Sequence, residues 1–180
     1  MDFETVQSLT TYQGTAFNVR RDRIRLPNRH MAEVDIVDHP SAVTMLPVDA
    51  QGRVWFVRQY RHAARAHILE LPAGTLHPDE SPEACAGREL REEIGMAAGE
   101  LLKIGEFFLA PGYSTEYMHV YLATDLRPDP LQGDEDEFLA IETIPLAEVE
   151  ALVRSGAILD GKTLATIYLA LPHLEAAQSS

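Results

Sequence analysis

The sequence predicts an α/β (α+β) fold, a mixed β-sheet sandwiched between helices with an N-terminal antiparallel strand region. Three observations predict it. Up to Pro72 the chain shows period-2 alternation broken by turn residues. Helical signals enter only from Ser81 onward. With 180 residues, 46% hydrophobic and 24% charged, the chain suits one core of ordinary size rather than a disordered segment.

Taken in order, 6–12 and 15–26 read as strands joined by a turn at Gln13-Gly14. In Met31–Asp38, Ala32, Val34 and Ile36 alternate with Met31, Glu33 and Asp35, the pattern of a half-buried strand. Ala42–Val48 and Arg53–Tyr60 flank Asp49-Ala50-Gln51-Gly52 and read as a hairpin, and Ile68–Leu71 is a short strand stopped by Pro72. Ser81-Pro82-Glu83 supplies an N-cap, a first-turn proline and a first-turn acid, and Gly95 is a natural stop, so a helix is expected over 82–94. Strands follow near 101–109, 117–124 and 138–144, and helices near 146–155 and 161–175. No internal repeat, low-complexity tract or long linker interrupts the chain.

Charge narrows the function classes. With 28 acidic against 15 basic side chains, the formal net charge is −13, which disfavours binding to nucleic acid polymers or anionic membrane. The imbalance is local: residues 1–73 hold 9 basic and 8 acidic groups, whereas 74–180 hold 6 and 20. Either the second half is a solvated acidic surface or its carboxylates gather around a cation. The start Met1-Asp2-Phe3-Glu4 lacks the basic and apolar regions of a signal peptide, no apolar run is long enough to span a membrane, and Cys85 is the single cysteine. A cytoplasmic protein without disulfides is expected.

On the helix from Pro82, Glu89, Glu92 and Glu93 stand at i, i+3 and i+4 on one narrow face. Each like-charged pair at that spacing costs about 0.2–0.5 kcal/mol in an isolated helix, and Leu90 and Ile94 pull the stripe towards the core. A hard divalent cation such as Mg²⁺ would offset the repulsion. The alternative is a solvated acidic face partnered by Arg88 and Arg91.

Gly74, five residues, Glu80, seven residues, then Arg88-Glu89-Leu90-Arg91-Glu92-Glu93-Ile94-Gly95-Met96 resembles the Nudix hydrolase box at every specified position. Chance agreement is on the order of one in 10⁹ per starting position, which decides against the solvated face. The resemblance implies a Nudix fold. It makes Glu89 and Glu93 the principal metal ligands with the Ala73 carbonyl, and Glu92 a further or bridging ligand with a catalytic role. Two or three Mg²⁺ ions are implied, with Mn²⁺ as the substitute. Gly74 is expected to allow a tight turn, Glu80 and Arg88 to pair and tie the loop to the helix, and Gly95 to end it.

Pro111, 16 residues beyond Gly95, and the run Ala110-Pro111-Gly112-Tyr113-Ser114-Thr115-Glu116 resemble the ADP-ribose pyrophosphatase branch, as do Val57-Arg58-Gln59-Tyr60-Arg61 and Glu70-Leu71-Pro72-Ala73-Gly74. In that branch Arg61 faces phosphate, Glu116 faces ribose, and Arg58 is a further substrate contact. Tyr60, Tyr113 and Phe17 are stacking candidates or ordinary packing. From Leu131 to Val153 there are seven acids and no base; by resemblance Glu135 is the general base and Glu137 a metal ligand, an assignment that a one-residue slip would exchange.

The expected organisation is a strand region over 1–40 that serves dimerisation and a Nudix domain over 41–180. Arginines 20, 21, 23, 25 and 29 are either a solvated strand face or reach a nucleotide, across a dimer interface in this branch. The implied reaction is Mg²⁺-dependent cleavage of ADP-ribose to AMP and ribose 5-phosphate by a cytoplasmic homodimer, with no nucleic acid or membrane partner. Its rivals are hydrolysis of other nucleoside diphosphate sugars, GDP-mannose among them, and a Nudix-like module that binds a nucleotide sugar without cutting it.

Overall fold

The computed structural model describes residues 2–133 and 138–178, with side chains as far as residue 174. It divides into two compact units, Met1–Ser41 with Phe108–Tyr117, and Ala42–Phe107 with Met118–Ser180.

In the first unit β1 (Glu4–Gln13), β2 (Asn18–Arg25) and β3 (Met31–Asp38) form an antiparallel sheet in the order β1-β2-β3. The β1–β2 turn closes where Gly14 N–H donates to the Phe17 carbonyl at 3.1 Å. β1 is an edge strand whose ten residues are all exposed, Val6, Leu9 and Tyr12 among them. The arginine stripe on β2 is largely paired within the sheet: Arg20 meets Asp38 at 2.9 Å, Arg21 meets Asp35 at 2.7 Å, and Arg25 meets Glu4. The 108–117 segment joins this unit through β3, Val37 N–H donating to the Tyr113 carbonyl at 2.7 Å. Pro111 lies in a turn closed by the N–H groups of Tyr113 and Ser114 on the Ala110 carbonyl.

The second unit holds two sheets. β4 (Ala42–Pro47), β7 (Ala73–Thr75), β8 (Met96–Phe108) and β9 (Tyr117–Pro128) are ordered β7-β4-β9-β8; β4 runs parallel to β9 and antiparallel to β7, a mixed sheet. β5 (Arg53–Arg61), β6 (Ala66–Glu70) and β10 (Leu139–Pro145) form an antiparallel sheet, β10-β5-β6. The expected hairpin of β4 and β5 is therefore only a turn. Asp49 N–H meets the Arg53 carbonyl at 3.0 Å, and the strands then part into different sheets. All six residues of β4 are buried, which suits a strand covered on both faces rather than half of a surface hairpin.

Helices cover both faces. Val43 and Met45 of β4 and Tyr121 and Ala123 of β9 pack with Cys85, Ala86, Leu90 and Ile94 of α1 (Pro82–Glu93) and its cap. Leu46, Phe56, Leu69 and Leu122 pack with Val149 of α2 (Leu146–Ser155) and Ile167 and Ala170 of α3 (Gly161–Gln178). Alternate residues of β4 thus feed opposite cores, and truncating a fully buried leucine such as Leu90 to alanine would cost about 2–5 kcal/mol. The strands differ from expectation in three places. β7 is a short extra strand, β9 runs on to Pro128, and β8 begins at Met96 because Gly95, at φ +69°, turns the chain straight out of the helix. Pairing with β9 holds Ala97-Ala98-Gly99 extended despite their weak strand preference. Among the described residues no helix is long and apolar enough to cross a membrane.

Candidate active site

The box glutamates are aimed by the start of α1. Ser81 caps it, its Oγ accepting the Ala84 N–H at 3.2 Å, and Pro82 follows at the first helical position. With Leu90 and Ile94 drawn into the core, Glu89 and Glu93 come to lie on the inner face, only 8% and 6% exposed. Glu93 Oε2 accepts the Ala73 N–H at 3.0 Å, which ties the last turn of the helix to β7.

Gly74 has a different role from the expected tight turn. It sits within β7, opposite Val43, and is not among the residues with positive φ. A Cβ there would stand 1.9 Å from Glu89 Oε1. Only glycine lets the carboxylate approach the strand backbone, so the residue supplies room rather than a bend.

Arg88 is the hub. Its Nε and Nη2 each meet a Glu80 oxygen at 2.9 Å, the expected pair, while Nη1 meets Glu89 Oε1 at 2.7 Å and Glu92 Oε2 at 2.8 Å. Nη2 also donates to the Thr75 carbonyl at 3.3 Å. The Arg88 fork, helped by the His77 N–H, holds the Glu80 carboxyl down at about 2, and Glu80 in turn raises the guanidinium. Cys85 is fully buried. Burial first, then the fields of Glu89 and Glu80, pushes its thiol up to about 12, so it supplies no thiolate nucleophile near neutral pH.

One pH prediction follows from Glu80. Its carboxyl lies below the ordinary 4.5, so the stabilisation it gives is complete above pH 4.5 and is lost as pH falls towards about 2. The stability difference between the native chain and Glu80→Gln, followed by urea unfolding, should shrink across that window. A difference constant from pH 5 to about 2 would reject the pairing.

The other predicted residues are distributed unevenly. Arg61 ends β5 and grips Glu70, three residues before Ala73 in the chain, with two bonds of 2.7 Å. Arg58, three residues earlier on the same strand, projects to the opposite face and pairs with Glu142 of β10. Glu116 and Pro111 belong to the first unit, where the Glu116 carbonyl accepts the Leu109 N–H at 3.1 Å. Tyr60, Tyr113 and Phe17 are all exposed. Glu135 and Glu137 lie outside the described residues. The described root of their loop is pinned to the end of α1: Leu131 N–H donates to the Arg91 carbonyl and Asp129 N–H to the Gly95 carbonyl, each at 3.0 Å.

Sequence reasoning missed a polar group made of buried Glu70, Lys162 and Thr163 with half-buried Asp160. Its signals were an acid inside the apolar strand 68–71 and an Asp three residues before Thr163 at a helix start.

The donor set suits a hard divalent cation: carboxylate oxygens on a rigid helix, one of them brought against the strand backbone by the room that Gly74 leaves. Among the described residues, however, no three His, Cys, Asp or Glu side chains already stand together as an ion cage; Arg88 holds Glu89 and Glu92.

The profile of the NUDIX domain matches residues 38–166. The chain belongs to the Nudix family. This Nudix chain is 35% identical over 181 residues to an ADP-ribose pyrophosphatase of Bacillus subtilis (strain 168), covering 99% of this chain and 98% of the relative. It is 37% identical over 169 residues to an ADP-ribose pyrophosphatase of Mycobacterium tuberculosis (strain ATCC 25618 / H37Rv), covering 92% and 82% respectively. The crystal structure of an ADP compounds hydrolase superposes with a TM-score of 0.88 at 24% identity, over 98% of this chain and 96% of that one, and shows the same Nudix fold.

Proposed function

We propose that the chain is a Mg²⁺-dependent pyrophosphohydrolase that cleaves ADP-ribose to AMP and ribose 5-phosphate. The observation that carries the reading is the buried pair Glu89 and Glu93 on one helix, with the Glu89 carboxylate set against the strand backbone at Gly74. Two relatives that bear the name ADP-ribose pyrophosphatase, aligned over most of the chain, supply the substrate class.

In this reading Glu89, Glu93 and the Ala73 carbonyl would hold the cation, with Glu92 and Glu137 as further ligands. Bound Mg²⁺ would neutralise charge on the pyrophosphate. Arg61, rather than Arg58, meets a phosphate, because its partner Glu70 stands three residues before Ala73, whereas Arg58 is held by Glu142 of β10. Glu116 holds the ribose. Water attacks one phosphorus, the bridging oxygen leaves with the other phosphate, and Glu135 takes the proton of the attacking water. The pinning of residues 129 and 131 to α1 favours a base from this loop.

Product chromatography against ADP-ribose, ADP-glucose, GDP-mannose, NADH and diadenosine polyphosphates with Mg²⁺ or Mn²⁺ tests the reading. Absence of turnover across that panel sinks it, and GDP-mannose as the best substrate moves it within the class. For Glu135→Gln, a pH–rate profile identical to that of the native chain would shift the base to Glu137.

The same reading has the chain as a homodimer through residues 1–40. In support, β1 is an uncapped edge strand that exposes Val6, Leu9 and Tyr12, a surface that single chains normally cover. Light scattering that returns a monomer of 20.0 kDa at micromolar concentration would reject it. A cytoplasmic location accords with a single, buried cysteine and is tested by cell fractionation.

A further inference from the structure

Beside the box lies a charge group that the pyrophosphohydrolase reading leaves unused. Glu70 is 2% exposed, and both of its oxygens are taken by the Arg61 fork, Nε on Oε1 and Nη2 on Oε2, at 2.7 Å each. The same carboxylate accepts a bond from Nζ of Lys162, a lysine only 9% exposed that also meets Asp160 Oδ2 at 3.0 Å. Asp160 caps α3 by accepting the Thr163 N–H at 2.9 Å and its hydroxyl at 2.6 Å. Thr163 Oγ1 in turn accepts the Leu71 N–H at 2.9 Å, so the start of α3 is bolted to the exit of β6, two residues before Ala73.

Burying an ammonium is costly unless its protons are met, and Arg61 with Glu70 would already form a closed pair, so Lys162 needs a reason. The charges of the group supply one. Glu70 and Asp160 place two negative charges next to where an anionic substrate must sit, and Arg61 alone would leave the group at a net −1. Lys162 brings it to zero from beneath. Arg61 is then the outward member: its side chain is 44% exposed, and among the described residues its Nη1 has no hydrogen-bond partner.

We propose that Lys162 is a positioning residue for the substrate pyrophosphate: by neutralising and holding Glu70 from inside the fold, it fixes the Arg61 guanidinium and leaves its free N–H groups to phosphate. This rests on the pyrophosphohydrolase reading and adds to it a residue of the C-terminal helix, far from the box in sequence.

The test is a double-mutant cycle on the full chain. Lys162→Met in the native background should raise KM for ADP-ribose by about tenfold with kcat within about threefold, the loss of one charge-assisted contact. In an Arg61→Ala background the same change should move KM by no more than about twofold, because a residue acting through Arg61 has nothing left to act on. Equal losses in both backgrounds, or an unchanged KM in the native background, overturn the proposal. Lys162→Gln keeps a donor for Glu70 while removing the charge; it carries the test if Lys162→Met does not fold, and failure of both to fold makes Lys162 purely structural and overturns the proposal as well. Calorimetric binding of inorganic pyrophosphate to the same four proteins gives the cycle independently of turnover. A native chain that binds pyrophosphate with this coupling but does not cleave ADP-ribose therefore refutes the substrate and not the positioning.

Discussion

Glu93→Gln is expected to lower kcat by about 100-fold or more while the protein stays folded, since losing one preorganised electrostatic group at a reacting centre costs about 10²–10³. The side chain is nearly isosteric, and its carbonyl oxygen can still accept the Ala73 N–H that Glu93 Oε2 accepts at 3.0 Å. What disappears is the negative charge at a position 6% exposed, that of one of the two carboxylates proposed to hold the cation. Steady-state kinetics against Mg²⁺ concentration, with thermal unfolding alongside, check this. Near-full activity in a folded variant would remove Glu93 from the metal site; a collapse of thermal stability would make its bond to Ala73 the larger role.

Arg88→Met is expected to destabilise the chain by about 3–5 kcal/mol in EDTA, because the substitution leaves three acids without their shared cation. Those acids are Glu80, Glu89 and Glu92, each within 2.9 Å of an Arg88 nitrogen. Saturating Mg²⁺ should restore a larger part of the stability of this variant than it adds to the native chain, since an ion and Arg88 compete to balance Glu89 and Glu92. Paired thermal unfolding in EDTA and in Mg²⁺ reads both effects. An equal Mg²⁺ shift in the two proteins would show that the ion does not draw on the carboxylates that Arg88 holds. An undiminished stability in EDTA would show that the guanidinium hub contributes little.

The two predictions draw on different kinds of information. That Glu89 and Glu93 share a face follows from helical spacing, and that this face turns inward follows from Leu90 and Ile94 beside them. Both were legible because a helix repeats locally, so the neighbours that decide orientation are three or four residues away. The Glu80–Arg88 pair, eight residues apart at a capped helix start, was expected from the box pattern rather than from periodicity.

Glu70 and Lys162 were not, since they stand 92 positions apart and meet only because α3 docks on the exit of β6. The role of Gly74 was half legible. A glycine was expected, but the reason for it, a carboxylate arriving 1.9 Å from where a Cβ would be, belongs to the packing of α1 on β7. The parting of β4 and β5 into separate sheets was likewise hidden, because a turn such as Asp49–Gly52 specifies the reversal of the chain and not the partner each strand then finds.

By itself the sequence determined most of the strands and all three helices, the start and stop of the box helix, and which carboxylates share its inner face, all properties of residues within a few turns of one another. Only the tertiary structure decided that Arg88 balances the box, that Arg61 pairs with Glu70 whereas Arg58 pairs with Glu142, and that a buried lysine from the last helix shares Glu70 with Arg61. The physical reason is one of range. Periodicity and capping act along the chain, whereas the balance of buried charge is settled among side chains that only the folded core brings within 3 Å or so of each other.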